Sequence, residues 1–167
     1  MIKPCSSSEF RKAFTSDPAD RFAKTFAAKA KAHDLWDLCV GVWEKDILLG
    51  AAVTTCSVRS PKISNLQLLH TFAAHRGQGI GTQLVEHSLA QAIRQEAVYW
   101  RVSSEPASVA FYKKRGLKFW GRQKSGTELC IFKTGGPNFS DAIYDPQDEI
   151  IRREVYKKGR GGCVVIF

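Results

Sequence analysis

Hydrophobic and polar residues follow one another along this chain in two patterns, one typical of strands and one typical of helices. Short runs rich in aliphatic, β-branched and aromatic residues predict strands at 2–5, 37–43, 47–58, 63–72, 98–102, 117–121 and 127–133. A polar turn at 44–46 separates the second run from the third, so these two runs predict a hairpin. The run at 63–72 is apolar almost throughout, which predicts a central strand.

Apolar residues also recur at helical spacing in two longer stretches. The first stretch follows the serines at 6–8, which are suited to cap a helix, and is interrupted by an Asp-Pro pair at 17–18. The second stretch, which the segment at 76–81 opens, predicts an amphipathic helix with one apolar face, formed by Leu84, Val85, Leu89, Ala92 and Ile93. A shorter helix is predicted at 106–115, between a proline and a glycine. The resulting order, β-α-β-β-β-loop-α-β-α-β-β, predicts an α/β fold with a mixed sheet flanked by helices.

The regular pattern ends near Gly135, so we expect one domain at 1–134 and an extension at 135–167. A chain of 167 residues is long enough to bury a substantial core in one domain. The extension ends on an apolar segment at 163–167 that follows two glycines. Because an exposed apolar strand edge invites pairing, we expect the extension to pack on the domain or on a second subunit of a homodimer.

Charge and hydropathy limit the kinds of partner. No apolar window reaches the about 18 residues of a membrane span, and the N-terminus lacks the apolar core of a signal peptide, so we expect a cytoplasmic protein without a membrane partner. The net charge is +9, with clusters of cations at 113–124 and 152–160. These clusters favour an anionic partner, either a phosphorylated cofactor or nucleic acid, and a solvated surface is the alternative.

The five cysteines are scattered and form no CxxC pair, so neither a disulfide framework nor a metal site is expected. Three of them, Cys39, Cys56 and Cys130, lie in apolar runs and are predicted to be buried thiols.

The segment at 76–81 has the sequence Arg-Gly-Gln-Gly-Ile-Gly and joins a predicted strand to a predicted helix. Glycines let backbone N–H groups point into one concavity without obstruction by Cβ atoms. The following helix presents its positive dipole end there, and Arg76 adds a full charge, which together predict a phosphate or pyrophosphate site. The segment lacks the Gly-Lys-Ser/Thr end of a P-loop and the spacing of a Rossmann fingerprint. A tight turn without a ligand is the alternative.

Two segments together resemble the signature of the GNAT acyltransferases. Arg76, Gly79 and Gly81 match the Arg/Gln-x-x-Gly-x-Gly/Ala pattern of the family's acetyl-CoA loop. Residues 111–117, Phe-Tyr-Lys-Lys-Arg-Gly-Leu, resemble the aromatic-Tyr-x-x-x-Gly-aromatic segment of its last helix, and the order of elements agrees over 2–133. The resemblance implies a GNAT-like fold and an acetyl-CoA-dependent N-acetyltransferase that acts on a small amine or a protein amino group.

The resemblance also implies which residues bind acetyl-CoA. The loop would hold the pyrophosphate through backbone amides and one guanidinium, with the residues Arg76, Gly77, Gln78, Gly79, Ile80, Gly81 and Thr82. Main-chain groups of Phe72 and its neighbours would pair with the pantetheine arm, which acts like an added strand. Glu105 stands where many relatives carry an Asn that contacts this arm. Ser108, with Ser103 and Ser104, would supply hydrogen bonds in its place.

Two residues are candidates for moving protons. By the resemblance, Tyr112 is the general acid that protonates the departing thiolate, and a role in packing alone is the alternative. His70 is a candidate general base, because an imidazole titrates in the useful range and strand alternation places it on one face with Leu68 and Phe72. Family geometry implies that this face looks into the acceptor cleft. A buried structural histidine, or one that shapes the substrate site, is the alternative.

Two further functions are compatible with the sequence. The basic clusters fit an acyltransferase that acts on nucleic acid, such as an aminoacyl-tRNA or a modified base. A domain that binds coenzyme A or nucleic acid without catalysis would keep the same fold, although the presence of Tyr112 speaks against it. The residues do not reveal the acceptor, because this fold shapes the acceptor site with its variable first helices and hairpins.

Overall fold

The computed structural model describes residues 1–15, 20–56, 63–97, 99–122 and 128–133. They belong to two compact units. The first unit consists of Met1–Thr55 and Leu66–Gln91, and the second contains the described parts of Cys56–Asn65 and Ala92–Phe167. The predicted extension at 135–167, with its apolar end and its basic cluster, lies outside the described residues.

Neighbouring strands of the first unit follow the order of the chain: β1 (Ile2–Pro4), β2 (Cys39–Glu44), β3 (Ile47–Cys56) and β4 (Ile63–Thr71). β1 pairs antiparallel with β2, and β2 pairs antiparallel with β3. The predicted hairpin between β2 and β3 is therefore confirmed. The strand predicted from residue 37 begins two residues later, because Trp36–Leu38 forms a 3-10 turn that leads the chain into β2.

Two helices, α1 (Ser7–Phe14) and α2 (Arg21–Ala32), occupy the stretch in which the sequence predicted an interrupted helix. α1 begins with a capping box, in which the Ser6 amide donates to Glu9 Oε2 at 2.7 Å and the Glu9 amide donates to Ser6 Oγ at 3.3 Å. The Ser6 hydroxyl also donates to Glu9 Oε2, at 2.7 Å, and this hydrogen bond, together with that of the Ser6 amide, lowers the pKa of the Glu9 carboxyl. The start of α1 is thus fixed by side chains that the sequence places three residues apart.

The core of the first unit contains an aromatic cluster of Phe10, Phe26, Trp36 and Phe72. Phe10 stacks on Phe26 with 4.6 Å between ring centroids, and its ring lies 5.3 Å from that of Phe72. Phe10, Phe26 and Phe72 are each at most 6% exposed. Full burial of such a side chain stabilises a fold by about 1.5–3 kcal/mol, so the cluster is a main source of cohesion between α1, α2 and the end of β4.

Cys5 and Cys39 face each other in this core, although they are far apart in the sequence. The Cys5 amide donates to the Cys39 carbonyl at 3.0 Å, and both side chains are buried. A hydrogen bond with the Cys5 thiol, together with burial, raises the pKa of the Cys39 thiol. The predicted burial of Cys39 is confirmed, whereas Cys56 is only half-buried.

Gly50 in β3 lies where two backbones and a helix come close together. A Cβ atom at this position would be 2.7 Å from the His70 carbonyl oxygen and 3.0 Å from Ile80 Cγ2. The pairing of β2 with β3 shifts register next to it, between Val42 and Trp43. This close approach brings the start of α3 (Ile80–Arg94) against the strands.

The second unit contains β5 (Tyr99–Ser104), α4 (Val109–Lys113), β6 (Lys118–Arg122) and β7 (Glu128–Lys133). β7 pairs antiparallel with both β5 and β6 and lies between them. The helix predicted at 106–115 is present as a 3-10 turn, Pro106–Ser108, followed by α4. Gly116, at φ 80°, follows α4 as predicted. Within the described part of the chain, no helix is long and apolar enough to cross a membrane.

Candidate functional site

The glycine-rich segment at 76–81 connects β4 to α3 and leaves open space above its backbone. Gly77 and Gly79 have φ angles of 78° and 80°, in the left-handed region that L side chains avoid. A Cβ atom at either glycine would meet no heavy atom within 4 Å. Backbone conformation, rather than contact with neighbouring atoms, therefore requires glycine here, and the space outside the loop is accessible to a ligand.

The first turn of α3 follows this loop directly along the chain. The Gln83 amide donates to the Gly79 carbonyl at 3.1 Å, which is a hydrogen bond of the first helical turn. The amides of Ile80 and Gly81 precede it, so the helix itself offers them no acceptor. Together with the positive end of the helix dipole, they form the kind of site that binds phosphate groups. The buried side chain of Ile80 fixes the start of the helix in the core.

Arg76 precedes the glycines and is anchored at two points. Its Nε donates to the Thr71 carbonyl at 3.1 Å, and its Nη2 lies 3.7 Å from Asp20 Oδ2. The side chain is nevertheless 54% exposed. A guanidinium has five N–H donors, so this arrangement leaves donors for an anion while restricting the position of the group.

Asp20 is the charged partner that the sequence analysis did not identify. Its Oδ1 accepts from the amides of Phe22 and Ala23, both at 3.0 Å, and so caps α2. Its Oδ2 lies 3.0 Å from His70 Nε2, in addition to its contact with Arg76. The aspartate immediately before a helical pattern was a readable capping signal, but nothing local indicated that His70 and Arg76 meet it.

His70 is enclosed by the aromatic cluster. Its ring lies edge-on to Phe72, with 5.0 Å between centroids and an angle of 85°, and its side chain is 4% exposed. Although Nε2 is in contact with Asp20 Oδ2, the two atoms are not aligned as in a regular hydrogen bond. This environment resembles the structural alternative more than that of a base open to an acceptor. The role of His70 as a base stays a prediction.

Phe72 has its main chain already engaged within the protein. Its amide donates to the Leu49 carbonyl at 3.1 Å, and its carbonyl accepts from the His75 amide at 2.9 Å. The amide of Phe72 is therefore already used within the protein. Only its carbonyl oxygen, which has a second lone pair, could still accept a hydrogen bond from a cofactor arm. The other loop residues named from the sequence differ in exposure: Gln78 is exposed and Thr82 is half-buried.

Tyr112 and Ser108 belong to the second unit. Tyr112 lies in α4, is 5% exposed, and packs edge-on against Phe111 with 5.0 Å between ring centroids. Its carbonyl accepts from the Arg115 amide at 2.9 Å and the Leu117 amide at 3.3 Å, which closes the end of α4. Ser108 is exposed, and its hydroxyl makes no capping hydrogen bond to α4.

The basic segment predicted at 113–124 is described only in part. Lys113 and Lys114 are exposed. Arg115 is folded back instead, with its guanidinium carbon 3.6 Å from the Phe111 ring centroid and its Nη1 donating to the Phe111 carbonyl at 2.6 Å. Among the described residues, no group of three or more His, Cys, Asp or Glu side chains is arranged to hold a metal ion.

Comparison with known proteins gives a family match and similar solved structures. A family model for the acetyltransferase (GNAT) domain matches residues 9–132. No curated protein matches the sequence significantly.

Three solved structures illustrate the likeness in fold. PaiA N-acetyltransferase from Thermoplasma acidophilum, in complex with coenzyme A, is 12% identical with a TM-score of 0.61, over 80% of this chain and 98% of that one. Ard1 from Thermoplasma volcanium is 16% identical with a TM-score of 0.63, over 81% and 98%. Arabidopsis thaliana Naa50, in complex with the bisubstrate analogue CoA-Ac-MVNAL, is 17% identical with a TM-score of 0.55, over 78% and 95%. At these identities the likeness concerns the fold, and it confirms the predicted mixed α/β fold with flanking helices.

Proposed function

Because the chain belongs to the GNAT acetyltransferase family, we propose that it transfers an acetyl group from acetyl-CoA to a primary amine by direct attack of the amine on the thioester. The observation that carries the proposal is the open loop at 76–81, with two left-handed glycines at the start of a helix and Arg76 beside them. The acceptor is a small amine or a protein amino group. Of the similar structures above, the PaiA enzyme is a complex with coenzyme A and Naa50 is a complex with the bisubstrate analogue CoA-Ac-MVNAL.

The loop has the chemistry that a pyrophosphate requires. Backbone amides between Gly77 and Thr82 and the guanidinium of Arg76 would hold the diphosphate, and the free space at Gly77 and Gly79 fits close approach of its oxygens. Phe72 would contribute its carbonyl oxygen to the pantetheine arm, and Ser108 its exposed hydroxyl. Gln78 and Ile80 contribute backbone amides, and Ile80 also keeps the helix start fixed.

Tyr112 would complete the reaction by giving its phenolic proton to the sulfur when the carbon–sulfur bond breaks. A phenol can act as such an acid when it is held against the leaving group. The Tyr112 side chain is 5% exposed, which is compatible with this role and equally with packing alone, so activity of a Tyr112→Phe variant is the test of the acid role. The attacking amine must also lose a proton. His70 is the candidate base predicted from the sequence, but its enclosure by aromatic rings favours the structural alternative, and the pH dependence of kcat in His70→Gln distinguishes the two roles.

Calorimetric titration with acetyl-CoA tests the cofactor site first. We expect the wild type to bind and a variant with both Arg76→Ala and Gly79→Ala to lose binding. Arg94→Ala is the matched control, because Arg94 is an exposed cation in the last turn of α3. Failure of the wild type to bind acetyl-CoA would refute the proposal. Thioester turnover with amines, peptides and aminoacyl-tRNA then separates an enzyme from a non-catalytic binding domain.

Nucleic acid is a second candidate acceptor, supported by the exposed cations of the first two helices. These cations are Arg11, Lys12, Arg21, Lys24, Lys29 and Lys31. The half-exposed Phe22 ring lies beside one of them, with the Arg21 guanidinium carbon 4.9 Å from its centroid. If nucleic acid binds here, log Kd should rise with log salt by about 0.7–0.9 per phosphate contacted. A salt-independent or undetectable interaction with tRNA would remove this candidate.

A further inference from the structure

We propose that Asp20 is a positioning residue for acyl-CoA binding, which holds the Arg76 guanidinium in place and ties it to the start of α2. The proposal rests on the proposed function, because it assumes that Arg76 contacts the pyrophosphate. Asp20 would not touch the cofactor itself. It acts through Arg76, and its carboxylate is the point at which the glycine-rich loop, β4 and α2 meet.

Burial makes the position of the carboxylate well defined. The Asp20 side chain is 3% exposed, and a buried carboxylate is unfavourable unless hydrogen bonds and opposite charges compensate it. Oδ1 is compensated by the amides of Phe22 and Ala23, each 3.0 Å away. Because these two hydrogen bonds join the carboxylate to the first turn of α2, the carboxylate is held at a defined place relative to the helix.

The second oxygen provides the connection to the loop. Oδ2 lies 3.0 Å from His70 Nε2 and 3.7 Å from Arg76 Nη2. His70 is itself held by the rings of Phe10, Phe26 and Phe72. The carboxylate is thus in contact with a histidine that packs against three aromatic rings. Its other charged neighbour is Arg76, whose side chain is exposed to solvent.

These contacts restrict the conformations of the Arg76 side chain in the protein without ligand. With Nε on the Thr71 carbonyl and Nη2 near Asp20, the guanidinium has two anchors on neighbouring elements. An arginine loses considerable rotamer freedom when it is immobilised on binding, and ordering it in advance reduces that cost. The remaining donors stay available to a phosphate.

The Asp20 carboxylate would also repel the phosphates, but we expect this repulsion to be smaller than the gain in binding from ordering Arg76. Two backbone amides and the positive end of the α2 dipole already compensate the carboxylate. The carboxylate is also buried, whereas the guanidinium is 54% exposed and stands on the solvent side. We therefore expect the loss of Asp20 to weaken acyl-CoA binding rather than to strengthen it.

Asp20→Asn is the informative variant, because asparagine caps a helix as well as aspartate does while removing the charge. We expect its Kd and KM for acetyl-CoA to rise about three- to tenfold, with kcat changed less than about twofold. Asp34→Asn is the matched control. Asp34 is an exposed aspartate just after α2, and its φ of 51° suits asparagine. We expect the control to bind like the wild type.

A double-mutant cycle with Arg76→Ala separates positioning from general stability. If Asp20 acts through Arg76, Asp20→Asn has little further effect on Kd once Arg76 is alanine. A merely structural role would give additive losses in Kd and a lower Tm. Unchanged or tighter binding by Asp20→Asn, or an additive cycle, would overturn this proposal while leaving the proposed function intact. Absence of binding by the wild type would instead refute both.

Discussion

Replacing Gly79 by alanine should reveal how much the loop depends on its left-handed backbone. The φ of 80° places this residue in a region that costs an L-residue about 1–2 kcal/mol. Steric overlap adds nothing in the free protein, because a Cβ atom here meets no neighbour within 4 Å. The strain of about 1–2 kcal/mol is therefore the whole expected effect in the absence of ligand.

This strain appears in one of two measurable quantities. If the loop keeps its conformation, the free energy of unfolding falls by the full amount, which for a chain of this length lowers Tm by about 2–8 °C. If the loop relaxes instead, stability is retained, but the binding-competent conformation is depopulated and the apparent Kd for acetyl-CoA rises about 5- to 30-fold. Thermal unfolding without ligand detects the first case, and calorimetry with acetyl-CoA detects the second.

Gly79→Asn is the matched control for this experiment. Asparagine enters the left-handed region far more readily than alanine, although its side chain is larger. We therefore expect Gly79→Asn to unfold at a higher temperature than Gly79→Ala in the absence of ligand. If both variants kept the wild-type Tm and Kd, or if asparagine were the more destabilising of the two, backbone strain would not be the reason for glycine at this position.

Three further predictions follow from buried or hydrogen-bonded groups. The pKa of the Glu9 carboxyl is lowered in the folded protein, so the stability that this carboxylate contributes is present above its unfolded-state pKa near 4.5 and is lost as pH falls through the lower folded-state pKa. Glu9→Gln should therefore flatten the acid limb of a plot of stability against pH. The raised pKa of Cys39 and its burial predict that iodoacetamide modifies it only after unfolding, as peptide mapping by mass spectrometry would show. His70→Gln should lower Tm by several degrees and kcat by less than about tenfold, with the ascending limb of the kcat–pH profile kept; loss of that limb would identify His70 as the base.

The parts of the fold that follow from local chemistry were predictable from the sequence. The capping box at Ser6 and Glu9 and the apolar spacing in α2 and α3 depend on residues three or four positions apart. The loop at 76–81 was predictable for the same reason, because glycine supplies left-handed conformations wherever the backbone needs them. The remaining features depend on contacts between distant segments.

The pair Cys5 and Cys39 shows why such contacts escaped the sequence analysis. Spacing along the chain indicated scattered thiols, yet the antiparallel register of β1 and β2, with Pro4 opposite Val40, brings the next two residues together. Phe72 is a similar case, since its amide bonds to the carbonyl of Leu49, a residue of β3 that is 23 positions earlier in the sequence. A register is set by tertiary packing and turn geometry, not by the composition of one strand.

The contacts of Asp20 depend partly on its neighbours in the sequence and partly on distant segments of the chain. Its capping role follows from its own neighbours, but its partners come from the end of β4 and from the loop, and a one-residue slip of β4 would turn His70 to the opposite face. The close approach at Gly50, where a Cβ atom would lie 2.7 Å from the His70 carbonyl, limits how β4 can be placed against β3. Enlarging Gly50 should therefore disturb the contact between His70 and Asp20 and, through Asp20, the position of Arg76. On this reasoning, a residue far from the glycine-rich loop in sequence helps to determine how well that loop binds an anion.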